Sequence, residues 1–212
     1  MAAIPNGLFG VIARKNVAGG GVSYVLEEDF EETGIPSSGV WAVTAGSADW
    51  DSTPPSTSPN GGETLKLVGE NNDVDADGIG LELYCQFYIV GSGFATTPIV
   101  GFDGAIRNAE ISVNASGTIT LRAESGTVTV NFTDSYSTGV WYHLKMVLDP
   151  GVKVSAEFST DGTFSGSGNK YAELTTNLPT VEIKKIDLRG RRDSTIYFDR
   201  VIISENPISD NP

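Results

Sequence analysis

The stretch Thr138-Gly-Val-Trp-Tyr-His-Leu-Lys-Met-Val-Leu-Asp-Pro-Gly151 constrains the fold more than any other. Tyr142, Leu144, Met146 and Leu148 share one parity, and Trp141, His143, Lys145 and Val147 the other. An apolar set that recurs every second residue is the signature of a strand, because successive side chains leave opposite faces of a sheet. Asp149-Pro150-Gly151 supplies turn chemistry. A second alternating run follows at once, with Val152, Val154, Ala156 and Phe158 set against Lys153, Ser155, Glu157 and Ser159. The pair reads as an antiparallel hairpin, closed off by the Asp161-Gly162 turn.

The rest of the chain repeats this grammar. Strands are expected at Val40–Val43, Glu63–Val68, Ile79–Val90, Ile99–Asp103, Ala109–Val113, Thr118–Ala123, Thr127–Phe132, Tyr171–Thr175, Val181–Leu188 and Thr195–Ser204. Residues 44–62 read as a long Ser/Thr/Pro/Gly loop around Trp50. In the Ile79–Val90 run, Ile79, Leu81, Leu83, Cys85, Phe87 and Ile89 are expected to face a core. Glu82, Tyr84, Gln86 and Tyr88 are expected to face outward or into a groove. Long helical patterns are missing, and 212 residues suffice for one large core. The expected fold is all-β: a two-sheet antiparallel jelly-roll sandwich with an extended N-terminal arm. The arm spans residues 1–25, the domain 26–204 and a C-terminal tail 205–212.

Charge excludes some classes of function. A net charge of −13 argues against nucleic acid and anionic membranes as partners, since phosphate binding needs clustered Lys and Arg. Cys85 is the only cysteine, so no internal disulfide forms, and its parity makes it a small buried hydrophobe. Arg14 and Lys15 follow the apolar run Leu8-Phe9-Gly-Val-Ile12, the wrong order for a signal peptide. Synthesis in a cytoplasm is the expectation. Leu8, Phe9, Val11 and Ile12 sit among Gly and Pro breakers, and exposed apolar residues call for a partner. The arm is expected to dock on a neighbouring subunit, in a homo-oligomer; the alternative is a disordered N-terminus.

Several motifs in order resemble a known family. They are the opening Glu28-Asp29-Phe30-Glu31, a Trp after a loop, Gly62-x-x-Leu65-Lys66-Leu67, the Thr138–Lys145 strand, the Asp161-Gly162 turn and the closing Ile196-Tyr-Phe-Asp-Arg-Val-Ile-Ile203. Together they resemble the concanavalin A-like lectin/glucanase superfamily, with laminin-G-like jelly rolls nearest, over residues 26–204. The resemblance implies two curved sheets and a ligand groove on one face. Similar domains occur in bacteriophage virion proteins. The expected function is thus a non-enzymatic capsid decoration, head fibre or tail accessory, assembled in the host cytoplasm and bound to other virion proteins through its arm. Glycans of a host surface or the environment are further expected partners. A free carbohydrate-binding module is one alternative, and a polysaccharide-cleaving enzyme with an atypical site another.

The candidate sites are few. Trp50, Glu82, Tyr84, Gln86 and Tyr88 form the expected sugar surface, with aromatic rings for stacking and polar groups for hydroxyls. Asp73-Val-Asp75-Ala-Asp77-Gly78 has the spacing of a calcium loop, in which alternate carboxylates meet one hard cation. The twelfth position from its start is Tyr84 rather than Glu, which excludes an EF-hand. A calcium loop completed from elsewhere and a solvated acidic turn both remain open. The resemblance implies a second structural calcium between the opening and closing strands, at Asp29 or Glu28 and Asp199. The alternative for Asp199 is an ion pair with Arg200 or Arg192. The Glu-x-Asp-x-x-Glu run of the glucanases is absent, and Glu82 is the lone carboxylate of its strand face. His143 reads as a packing residue.

Overall fold

The computed structural model describes residues 26–31, 41–69, 72–91, 97–103, 108–123, 128–179, 183–190, 193–210 and 212. The assembly residues Leu8, Phe9, Val11 and Ile12 lie outside these. The described residues form fifteen strands and no helix. In chain order they are β1 (Leu26–Glu28), β2 (Trp41–Ala45), β3 (Asp49–Ser52), β4 (Thr64–Val68), β5 (Asp73–Gly80) and β6 (Glu82–Gly91). Next come β7 (Thr97–Asp103), β8 (Asn108–Val113), β9 (Thr118–Ala123), β10 (Val128–Ser135) and β11 (Trp141–Asp149). The last four are β12 (Lys153–Ser159), β13 (Tyr171–Leu174), β14 (Ile183–Arg189) and β15 (Ser194–Ser204).

Two antiparallel sheets result, packed as an open sandwich. Sheet A runs β13-β12-β11-β6-β15-β4-β3, and sheet B runs β10-β9-β8-β7-β14-β5-β2. One edge of β15 lies along β6. The other is shared, with β4 along Thr195–Phe198 and β1 along Val201–Ile203. The Trp141 hairpin forms as its alternation predicts. Leu144 pairs with Phe158 and Met146 with Ala156, and Val152 N–H closes the turn on Asp149 C=O at 2.9 Å. Gly151 there takes φ +72°, a conformation that costs a residue with a Cβ.

The inner faces make one core. Leu83, Cys85, Phe87, Ile89, Leu144, Met146, Phe158, Ile196, Phe198 and Ile203 from sheet A meet Val74, Val100, Ile111, Leu121, Ile186 and Leu188 from sheet B. Each large aliphatic buried there contributes about 1.5–3 kcal/mol relative to exposure.

Three expectations need correction. The run Ile79–Val90 is not one strand: β5 ends at Gly80, β6 starts at Glu82, and the two belong to different sheets. The chain crosses between the sheets where a Cβ on Gly80 would lie 2.6 Å from Ile203 Cγ2 and 2.7 Å from Ser204 C=O. Only glycine permits that approach. Second, Asp73–Gly78 is not a loop but the body of β5, paired with both β14 and β2. Alternate residues of a strand stand about 6.6 Å apart and run parallel rather than converging. Third, residues 49–52 of the long loop form β3 against β4.

Candidate functional site

Alternation gives sheet A a second face, turned away from the core, and register lines its residues up in rows. Trp141, Tyr88 and Tyr197 form one row across β11, β6 and β15. Their rings touch, with centroids 5.3 Å apart for Tyr88–Trp141 and 6.1 Å for Tyr88–Tyr197. The next row is Ser159, His143, Gln86 and Asp199. A third holds Glu157, Lys145, Tyr84 and Ile202. A β-bulge at Arg200 lets β15 keep this order: Asp199 opposes Gln86, yet Val201 opposes Cys85. Were Arg200 paired in the ladder instead of bulged out, every side chain beyond it would change face.

This is the face expected to carry Glu82, Tyr84, Gln86 and Tyr88, but it is covered. Tyr84 is fully buried, and Gln86, Tyr88 and Glu82 are nearly so. Three segments distant in sequence roof it. Trp141 Nε1 donates to Ser56 C=O at 3.1 Å, which brings the loop before β4 over the aromatic row. Phe164 stands edge-on to Tyr84. Ile208, from the C-terminal tail, packs against Tyr84 and Ile202.

Under this roof lies a polar chain. Gln86 Nε2 donates to Tyr84 Oη at 3.0 Å, and Tyr84 Oη lies 2.6 Å from His143 Nδ1. The tyrosine oxygen accepts from Gln86, so its own proton goes to Nδ1, and the neutral imidazole carries hydrogen on Nε2. Burial lowers the His143 pKa, partly offset by Asp161, and pushes Tyr84 up to about 12. Gln86 Oε1 is buried without a hydrogen-bond partner.

Asp199 closes the row. It is fully buried, accepts from Ser58 Oγ and takes the Arg200 N–H at 2.6 Å. Burial raises its pKa to about 6 against those bonds, with the Glu31 charge adding to the rise. Arg200 pairs instead with Glu27 at 2.8 Å, and Arg192 lies outside the described residues. Each Asp199 oxygen thus accepts one hydrogen bond from within the protein, from Ser58 Oγ and from Arg200 N–H.

Beyond the roof the face opens. A pocket of about 350 Å³ lies over β11, β12 and β13, lined by Lys145, Val147, Lys153, Ser155, Glu157, Phe164, Ser165, Tyr171 and Asp210. Glu157 accepts from Ser165 N and Oγ and from Gly166 N at 2.7–2.9 Å, so it holds the loop. Lys153 reaches Glu173 at 3.4 Å, and Tyr171 Oη donates to Glu173 at 2.7 Å. Lys145 pairs with Glu82 at 3.3 Å. Sequence reasoning missed Lys153 and Tyr171 because nothing local marks them; only the sheet order brings β13 beside β12.

The remaining predicted residues sit elsewhere. Trp50 is not exposed: it is 7 % accessible and packs with Phe30 and Trp41 in the core. Its strand, β3, edges sheet A and turns the indole inward. Asp73, Asp75 and Asp77 oppose Arg189, Asp187 and Lys185 on β14. Asp75 pairs with Lys185 and Asp187 with Arg189, which also reaches Glu110 at 3.2 Å. Burial and the adjoining Asp187 hold Asp75 up, to about 6. Burial raises Asp187 too, but bonds from Asp75 and Arg189 outweigh it and leave that carboxyl lowered. Among the described residues, no three His, Cys, Asp or Glu side chains are placed to hold a metal.

No family model matches this sequence, and no curated protein matches it. Solved structures do. The chain is similar in fold to the Botulinum Neurotoxin Type G Receptor Binding Domain, with TM-score 0.57 and 12 % identity over 88 % of this chain and 48 % of that one. It is similar to the Apo Crh5 transglycosylase, with TM-score 0.59 and 12 % identity over 87 % and 86 %. The Binding domain of Botulinum Neurotoxin DC in complex with SialylT gives TM-score 0.54 and 12 % identity over 82 % and 45 %. The chain spans about half the length of the neurotoxin domains. At these identities the likeness shows the fold alone, a two-sheet antiparallel β-sandwich.

Proposed function

We propose that this chain is a non-enzymatic glycan-binding sandwich of the concanavalin A-like, laminin-G-like kind, serving as an accessory module of a virion. The observation that carries the glycan reading is the open pocket on the outer face of sheet A. Tyr171 and Phe164 offer ring faces, Ser155 and Ser165 offer hydroxyls, and Lys145 and Lys153 offer positive charge. Aromatic walls with a few convergent polar groups suit a sugar, and Lys145 and Lys153, paired at rest with Glu82 and Glu173, are the cations that an acidic sugar would meet. Neighbours of like fold include receptor-binding domains, one of them solved with SialylT.

The carboxylates of this face support the non-catalytic reading. Glu82 holds Ile208 N–H, Glu157 holds the Ser165–Gly166 loop and Asp199 holds Ser58. Each is a structural acceptor rather than a member of a free acid/base pair. The virion part of the proposal rests on the acidic composition and the apolar stretch Leu8–Ile12.

A glycan array with the full chain tests the first part. Acidic oligosaccharides are expected to bind, and Tyr171→Ala and Lys153→Ala each to weaken binding about tenfold. Absence of any bound glycan, or binding indifferent to both variants, rejects it. Mass spectrometry of purified particles tests the second part, where absence of the chain rejects a virion role.

A further inference from the structure

The C-terminal tail lies across this face as a separate piece. β15 ends at Ser204, and residues 205–210 join neither sheet. Of these six, Ile208 alone is buried. Its N–H donates to Glu82 Oε2 at 2.7 Å, and its C=O accepts from Lys145 Nζ at 2.6 Å. Its side chain enters a small cluster with Tyr84, Ile202 and Phe164, distinct from the main core. Asp210 Oδ1 accepts from Phe164 N at 3.3 Å. The tail is thus held by one apolar side chain and by bonds to side chains of the outer face and its flanking loop. A segment without ladder bonds belongs to the low-stability end of a structure, where local opening precedes global unfolding.

Its position gives that opening a consequence. Asp210 and Lys145 line the open pocket, and Ile208 covers Tyr84, from which the polar chain runs to Gln86 and His143. The tail therefore divides the outer face into an open half and a covered half. It also brings a carboxylate to a pocket that holds two lysines.

We propose that the tail is a displaceable strap, which occupies the groove in cis and yields it to an acidic oligosaccharide longer than the open pocket. The inference rests on the glycan reading above. Release removes the Asp210 charge, frees Lys145 from the Ile208 carbonyl and uncovers the side of Tyr84 that Ile208 packs against. By linkage, a ligand that needs the covered half favours the released tail, and a looser tail favours that ligand by the same factor.

Amide exchange at Ile208 in the full chain tests this, with tetragalacturonate and galacturonate as probes. In the free protein, Ile208 is expected to exchange at least tenfold faster than the Leu144 and Phe198 amides. Tetragalacturonate is expected to accelerate it further, the reverse of ordinary ligand protection, and at saturation by more than galacturonate does. Ile208→Ser is expected to raise tetragalacturonate affinity about fivefold or more and to raise galacturonate affinity by less. Exchange of Ile208 only with global unfolding, or its slowing by tetragalacturonate, overturns the strap. Where neither sugar binds, acidic glycans are rejected as ligands. The strap then stands or falls on the free-protein exchange rates alone.

Discussion

The Glu82 carboxylate accepts the backbone N–H of Ile208 at 2.7 Å, across 126 residues of sequence. That bond ties the start of β6 to the tail and explains why a strand face patterned for exposure is closed. Glu82 is nearly buried, and its remaining partner is Lys145, which in turn holds the Ile208 carbonyl. A carboxylate and an ammonium from adjacent strands so hold the two peptide groups that flank the Ile208 Cα.

Tyr84→Phe is expected to destabilise the fold by about 1–3 kcal/mol, because it strands two buried partners, Gln86 Nε2 and His143 Nδ1. Denaturant melts measure the loss. His143 is the only histidine, so its imidazole nitrogens are assigned without ambiguity. In the parent protein at neutral pH, the nitrogen spectrum is expected to show Nε2 protonated and Nδ1 bare; the reverse tautomer rejects the hydrogen-bond direction.

Asp199→Asn is expected to change the pH profile of stability. The unfolded carboxyl titrates near 3.8 and the folded one at about 6. Between those values the folded state binds more protons, so this group's contribution falls as pH rises from about 4 to 6 and is constant above. The shift corresponds to on the order of 2–3 kcal/mol. The variant is expected to gain up to that amount over the parent at pH 7 and to match it near pH 4. A parent-minus-variant curve from thermal melts isolates the term from Asp75, which is raised to a similar value.

Gly80→Ala is expected to cost about 3 kcal/mol, since its Cβ meets Ile203 and the Ser204 carbonyl below van der Waals contact. Gly151→Ala meets nothing within 4 Å and is expected to lose only about 1 kcal/mol, from its positive φ. Equal losses in urea titrations contradict the close-approach explanation.

Trp50→Ala is expected to cost about 3–5 kcal/mol, as for a core aromatic, and to leave glycan affinity of the folded fraction unchanged. Loss of binding without loss of stability returns Trp50 to the ligand surface.

Calcium or a chelator is expected to move the melting temperature by less than about 1 °C. The Asp199 oxygens are engaged by Ser58 and Arg200 N–H, and Asp73, Asp75 and Asp77 sit in a paired strand. A larger calcium-dependent rise reopens the metal reading.

Local chemistry alone determined much of this protein. The alternation of Tyr142, Leu144, Met146 and Leu148 against Trp141, His143, Lys145 and Val147, with the turn at Asp149–Gly151, specified the β11–β12 hairpin and which side chains share a face. Parity likewise placed Tyr84, Gln86 and Tyr88 together on the outer side of β6, because a period of two is a property of the strand itself. Tertiary structure decided whether that face meets water. Ser56, Phe164 and Ile208 are far from one another and from β6 in the chain, and no local pattern marks them as its roof. The break at Gly80–Leu81 belongs to the same category. Apolar parity runs through it unchanged, and only the contact with Ser204 shows that the chain there passes from one sheet to the other.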